Sequence, residues 1–334
     1  VALRLVAWFG SMSSCGGSVV HHNWAITAAH CTALRKSIIV SAGVTELSAP
    51  EHVQETTTWF NYPTYDDSNP GLVQPNDISL LKLSDKITFT HLVRPIRVQP
   101  LYEAFNNFDE EVMIASGFGR TWTDGPLPDH LYWTYLRGVS NPACGALFGT
   151  LITDTSICAR YYNVTSQSTC QGDSGGPLVH INDDGTPILI GVASFVAGGE
   201  FGCHSGLPAG FCRVGPFLSW FKEVSGIDFE NLDLDDSDED SSEETTDAPE
   251  TTPEPETTQE PETTQPPTEE PETTQEPTEE PEGPESESDE DDDSEVSEEE
   301  PNCDERCELL KKLDVKVKVH VRMKHRRRRL RSGQ

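Results

Sequence analysis

Between residues 231 and 300 the sequence has no positive charge: 32 Asp and Glu, and not one Lys or Arg. Aromatic residues are missing there as well, while all six Trp and all seven Tyr lie in residues 1–230. So little apolar surface cannot offset chain entropy, which excludes a second folded core in that stretch. The chain has no run of 18 apolar residues, which excludes a membrane-spanning helix. It has no Cys-x-x-Cys pair, which argues against a zinc ribbon. Its start carries no Met, no basic stretch and no apolar segment with a cleavage site. "VALRLVAWFG" instead reads as a strand already in progress, so the chain is expected to be truncated or processed at its start.

The net charge of −33 describes no single part of the molecule. Residues 1–230 carry 21 acidic and 12 basic residues, a net of −9. Residues 301–334 carry 4 acidic and 12 basic residues, a net of +8. Three parts follow: a folded domain over 1–225, an acidic Pro/Thr/Glu-rich disordered spacer over 226–300, and a basic tail over 301–334. A domain of about 225 residues is long enough to bury a sizeable core.

In the tail, "CDERCELLKKLD" fits a short helix with Cys303 and Cys307 on one face. "VKVKVHVRMK" alternates apolar and basic residues, a strand pattern with one cationic face. "HRRRRLR" follows. Polyanion binding, association with the acidic spacer and a processing site are three readings of this segment.

Within residues 1–225, short runs rich in Val, Ile, Leu and Thr alternate with Gly, Pro, Asn and Asp clusters. "SIIVSAG" (37–43), "ISLLKL" (78–83), "EVMIASGFG" (111–119), "PLVHI" (177–181) and "PILIGVASF" (187–195) are examples. The pattern predicts an all-β barrel or sandwich. Helical spacing appears only in "GPFLSWFKEVSG" (215–226), through Phe217, Trp220, Phe221 and Val224. Seven of the nine cysteines lie in this part, at dispersed spacing, which suits a secreted disulfide protein. "NVT" at Asn163 is a glycosylation acceptor sequence consistent with secretion.

Three residues stand out for chemistry. Ser174, in "STCQGDSGGPLV", sits in a Gly-rich turn, where missing side chains let backbone amides face a ligand. A serine nucleophile needs a base within hydrogen-bond reach, a carboxylate to orient that base, and N–H donors for an oxyanion. His30, in "WAITAAHC", follows small residues and is anchored by Cys31. His21, His22, His52, His91 and His130 read as surface histidines. Asp77 opens "NDISLLKL", and a carboxylate entering an apolar strand needs a partner, which a histidine N–H would supply.

"TAAHC", "NDISLLKL" and "CQGDSGGPLV", in that order, resemble the three signature segments of chymotrypsin-like (trypsin-fold) serine peptidases. "CGGSVV" (15–20) and "FCRVGPFLSW" match that family's first disulfide region and its closing strand and helix. The resemblance covers roughly residues 1–225, and "NPACGALFGTLITDTSICAR" looks most like insect chymotrypsin-, elastase- and collagenase-like members. It implies two antiparallel six-stranded Greek-key barrels with a short C-terminal helix, no cofactor, no metal, and a monomer acting on protein or peptide substrates. Ser174 would be the nucleophile, His30 the base and Asp77 its orienter, with Gly172 and Ser174 N–H groups as the oxyanion hole. Disulfides Cys15–Cys31, Cys144–Cys158 and Cys170–Cys203 are implied. Cys212 is left over, as a buried free thiol or a partner of Cys303 or Cys307.

The resemblance also speaks to specificity. Ser168 would form the pocket floor, where trypsin-like members carry Asp, so a buried Lys or Arg would find no counter-charge. Val196 and Ala209 would form the walls and narrow them, favouring Ala, Val or Leu at P1; the runner-up is Phe or Tyr. Ser194, Phe195 and Val196 would pair with the substrate backbone as an added strand. One family feature is missing: mature members begin with an Ile-Val-Gly-Gly-like stretch whose amino group pairs with the Asp beside the nucleophile, here Asp173. Asp173 is therefore expected to be unpaired and to favour a zymogen-like arrangement. The expected function is a secreted, extracellular serine endopeptidase; the alternative is a catalytically silent homologue used for binding or scaffolding.

Overall fold

A computed structural model describes residues 1–198 and 202–232. The acidic spacer beyond Leu232, the helix and strand expected in the tail, and Cys303 and Cys307 lie outside the described residues.

The first half is built from eight strands: β1 (Ala2–Ala7), β2 (Met12–Gly16), β3 (Ser18–His21), β4 (Trp24–Thr27), β5 (Arg35–Ala42), β6 (His52–Thr56), β7 (Trp59–Asn61) and β8 (Ser79–Lys82). They form two four-stranded sheets, in order β2-β1-β5-β6 and β3-β4-β8-β7. Only Gly17 separates β2 from β3, and Thr57 and Thr58 separate β6 from β7. Each pair is thus one bent strand that leaves one sheet and enters the other. Counted that way, six strands pair in a circle, all antiparallel. Leu3, Leu5, Ile38 and Val40 from one sheet meet Val20, Ile26, Leu80 and Leu81 from the other in one core. Alternation along β5 explains this: Ile38, Val40 and Ala42 are buried while Ile39 and Ser41 are only partly so.

The second half closes into a six-stranded barrel. Its strands are β10 (Val112–Gly117), β11 (Tyr132–Val139), β12 (Ser156–Tyr161), β13 (Pro177–Ile181), β14 (Pro187–Phe195) and β15 (Ala209–Arg213), with the two-residue β9 (Arg97–Val98) parallel to β14. The order β13-β10-β11-β12-β15-β14 returns to β13, so no edge of the six stays open. β14 reads as an almost unbroken apolar run because six of its nine residues are buried.

Among the described residues, three short α-helices complete the fold: α1 (Ala29–Thr32), α2 (Asn141–Phe148) and α3 (Leu218–Ser225). α3 is the expected C-terminal helix; Phe217 precedes it in a 3-10 turn, and Gly226 ends it with φ 77°. It buries Leu218 and Phe221, while Trp220 and Val224 lean on the first barrel's core. Full burial of a ring such as Phe221 contributes about 1.5–3 kcal/mol. α2 was not expected. Cys144 is its one buried side chain, so it shows no apolar stripe; Pro142 in its first turn and the bond to Cys158 fix it instead.

All three implied disulfides are present: Cys15–Cys31, Cys144–Cys158 and Cys170–Cys203. The loops they close span 16, 14 and 33 residues, each worth about 3–4 kcal/mol in the chain-entropy description. Cys212 is buried and pairs with no described cysteine.

Candidate active site

Small residues place His30. Ala28 and Ala29 are fully buried, so α1 can sit against the barrel with His30 turned outward. Tyr65 packs against Ala29 and Ala33 from the far side. Beneath the helix, the Thr32 hydroxyl donates to Asn61 Oδ1 at 2.5 Å and lies 3.2 Å from Ser79 Oγ. The Cys15–Cys31 bond fixes the next residue to β2.

Asp77 enters from the end of the loop before β8. The residue before it, Asn76, has φ 57°, a left-handed conformation that asparagine tolerates better than most residues. Thr155 Oγ1 donates to Asn76 Oδ1 at 2.7 Å, so the second half of the chain braces this turn. The Asp77 side chain is thereby delivered into the interior, where the residue is 3% exposed.

Three donors satisfy the Asp77 carboxylate. His30 N–H donates to Oδ1 at 2.8 Å, His30 Nδ1 meets Oδ2 at 2.7 Å, and Ser194 Oγ donates to Oδ2 at 2.6 Å. An ionised carboxylate only accepts, so Nδ1 carries the proton and Nε2 keeps its lone pair in the neutral ring. Burial works against a cation on His30, but the Asp77 charge and the hydrogen bond to it outweigh burial and raise the His30 pKa. The pairing with substrate expected of Ser194 belongs to its backbone; its hydroxyl points at Asp77. A register shift between Ala193 and Phe195 on the β14–β15 pairing lies at this residue, and bulges of this kind re-aim side chains.

Ser174 lies in the loop before β13. Gly16 N–H donates to Ser174 O at 2.7 Å, and Gly175 N–H donates to Ala193 O at 2.7 Å. These two bonds suspend the serine between β2 and β14. Glycine is required twice here. Gly175 has φ 77°, and a Cβ on it would collide with the Thr27 hydroxyl; a Cβ on Gly16 would approach Gly176 Cα to 2.9 Å. Gly172 has φ 106°. Among the described residues, neither Gly172 N–H nor Ser174 N–H is used in a hydrogen bond, and Ser174 Oγ is not yet bonded to His30 Nε2. Such bonds commonly tighten only when substrate is bound.

Asp173 is not left without partners. Its carboxylate accepts from Gly119 N–H at 2.8 Å and from Cys170 N–H at 2.9 Å. Burial raises its pKa, and those two backbone donors oppose the rise. Among the described residues no cation pairs with it, so backbone dipoles alone hold the charge.

The residues expected to shape specificity separate into two places. Ser168 lines a cleft with Asp173, Gly119, Thr169 and Trp133. Ala209 is 1% exposed in the second barrel's core, and Val196 packs against that same core. The Phe195 ring lies over Gly210, where any Cβ would collide with it, and meets Phe148 edge-on at 5.3 Å. Of the histidines read as surface residues, His22 is partly buried, stacked on Phe89 at 3.8 Å with Nδ1 2.6 Å from Ile87 O.

Comparison with known proteins agrees with the fold and the motif order. Residues 5–221 match the Trypsin family. Serine protease 1 of Drosophila melanogaster is 33% identical over 218 residues, 64% of this chain and 77% of that protein. Collagenase of Hypoderma lineatum is 33% identical over 216 residues, with the same coverage of 64% and 77%. Chymotrypsin-like elastase family member 1 of Rattus norvegicus is 33% identical over 230 residues, 67% of this chain and 83% of that protein. The solved structure of HL collagenase aligns with a TM-score of 0.59 at 30% identity, covering 68% of this chain and 92% of that one. With the match running through the His30, Asp77 and Ser174 segments alike, the chain belongs to the trypsin family.

Proposed function

We propose that the protein is a secreted serine endopeptidase. The observation that carries the reading is the buried Asp77 carboxylate bonded to His30 Nδ1 at 2.7 Å, which leaves Nε2 as a free base. In this reading Ser174 Oγ attacks the scissile carbonyl while Nε2 takes its proton. The imidazolium, stabilised by Asp77, returns that proton to the leaving amine as the acyl-enzyme forms. The N–H groups of Gly172 and Ser174 receive the oxyanion, and loss of one such donor costs about 10²–10³ in turnover. Water then hydrolyses the acyl-enzyme by the reverse proton path.

Ser168 without a carboxylate, in the cleft beside Asp173, supports an apolar P1 such as Ala, Val or Leu; Ala209 sits in the barrel core with Val196 packed on it, so neither lines that cleft. Three disulfides support an oxidising, extracellular setting. A fluorophosphonate probe tests the enzyme: Ser174 should be labelled in the wild type and not in Ser174→Ala. A folded protein that takes no label at Ser174 would instead support the silent homologue. A peptide panel then tests P1: cleavage after Ala, Val or Leu is expected, and preferred cleavage after Arg or Lys would overturn the pocket reading.

A further inference from the structure

Two features of the second barrel adjoin, and only the Trp133 end of the first reaches the Ser168 cleft. One is an exposed aromatic row. On the outer face of β11, Trp133 is 60% and Tyr135 41% exposed, while Leu136, the next residue, is fully buried. Trp133 and Tyr135 meet edge-on at 5.2 Å, and Tyr135 lies 5.8 Å from Tyr162, just past β12. Arg137 crosses the Tyr162 ring at 4.9 Å. Contiguous exposed rings of this kind normally have something that covers them.

The other feature begins one residue later. Asn163-Val164-Thr165 is the only Asn-x-Ser/Thr sequence in the chain. All three residues are exposed, in an irregular bend. The bend is fixed by Gln167, whose Oε1 accepts the N–H of Asn163 at 3.1 Å and of Val164 at 3.2 Å. The Gln167 side chain thus holds the backbone, and among the described residues nothing bonds the Asn163 side-chain amide. An acceptor asparagine needs this arrangement: a shaped, exposed turn with a free amide.

We propose that Asn163 is an N-glycosylation site and that its glycan lies across Tyr162, Tyr135 and Trp133. In the modifying step, the Asn163 amide nitrogen bonds to the anomeric carbon of an oligosaccharide carried on a polyprenyl diphosphate. The sugar–oxygen bond to the diphosphate breaks, the amide loses one proton to the transferase, and the lipid diphosphate leaves. The first sugar is attached one residue from Tyr162, so the row starts at the point of attachment. The C–H faces of pyranose rings pack on aromatic faces, and the hydroxyl edges stay wet. The covered row would then present a polar surface.

The proposal rests on the secretory reading above, and its test separates the two. The full chain is secreted from eukaryotic cells behind an added leader, so entry into the secretory pathway is supplied by the experiment. Peptide mass spectrometry should find Asn163 glycosylated, and converted to Asp after amidase release of the glycan. Asn163→Gln and Thr165→Ala should lose the glycan, while Thr165→Ser should keep it. Hydroxyl-radical footprinting should show Tyr162, Tyr135 and Trp133 more reactive once the glycan is removed. Trp8, 70% exposed on the hairpin between β1 and β2, should not change. An unmodified Asn163 in secreted protein with its three disulfides formed would overturn the site. Equal reactivity of the three rings with and without glycan would overturn the covering. Neither result bears on Ser174 labelling.

Discussion

Asp77 sets the chemistry of the site through what surrounds it. Its charge sits in a 3% exposed position and is held by two donors from His30 and one from Ser194. Asp77→Asn should turn an NH₂ group toward Nδ1 and force the proton onto Nε2, where the base is needed. For Ser-His-Asp triads in general that change costs about 10⁴ in turnover. The pH profile gives an independent check. In the proposed mechanism the base is neutral His30, so kcat/KM should rise with pH through a midpoint above the ordinary histidine value of about 6.5, because the pKa is raised. The linked stability has the opposite course: the His30–Asp77 attraction contributes fully below about pH 6.5 and is lost as pH climbs through the raised folded pKa. A midpoint at or below 6.5 would contradict the pairing. Ser194→Ala removes one charge-assisted bond, worth about 1.5–3 kcal/mol, and should lower kcat/KM by about ten- to a hundredfold. In the Asp77→Asn background the same change should cost much less, since both act on one unit. The bond from the Ser194 hydroxyl to Asp77 was not legible in sequence, because a bulge decides where that hydroxyl points and no residue type announces it.

At the level of elements, the strands were legible and one helix was not. "PLVHI" and "PILIGVASF" coincide with β13 and β14 because β-branched runs bounded by Gly, Asp and Pro leave few alternatives. α2 escaped because a disulfide, not an apolar stripe, holds it. The same contrast makes a test with two glycines. Gly138 in β11 faces the Phe108 carbonyl oxygen, with which any Cβ would collide. That carbonyl cannot withdraw easily: the 108–111 turn is bonded to Gly138 through Glu110 N–H at 3.1 Å and Glu111 O at 2.9 Å. Gly138→Ala should destabilise the protein by about 1–3 kcal/mol in denaturant titration, as overpacking does. Gly145 in α2 has its nearest such neighbour, Ile152 Cβ, at 4.0 Å. Gly145→Ala should be neutral or stabilise by about 0.5–1 kcal/mol, the helix-interior preference for Ala. Equal destabilisation by both would show that contact at Gly138 is not the cause.

Over the whole molecule, the site belongs to the seam between the two barrels. His30 and Asp77 come from the first, Ser174 and Ser194 from the second, and the bonds Gly16 N–H to Ser174 O and Thr155 to Asn76 tie them across it. Sequence order named the three candidate residues but not the ties, which are backbone and polar contacts between distant segments. Charge is partitioned on the same scale and reads directly from sequence. The basic tail carries 12 Lys and Arg, of which residues 311–331 hold 11, at the end of a chain whose net charge is −33. Such a cluster binds a polyanion by releasing counterions, so binding weakens steeply as salt rises. Its competitor is internal: the 32 acidic residues of 231–300 offer the same tail a counter-charge. If an external polyanion wins, the full chain should bind heparin at low salt and release it as salt rises. Deletion of 311–331 should abolish that binding without changing Ser174 labelling. If the spacer wins, the full chain should pass through heparin unretained, and only deletion of 233–300 should expose the tail. Retention that persists after deletion of 311–331 would refute both and move the basic surface into the protease domain.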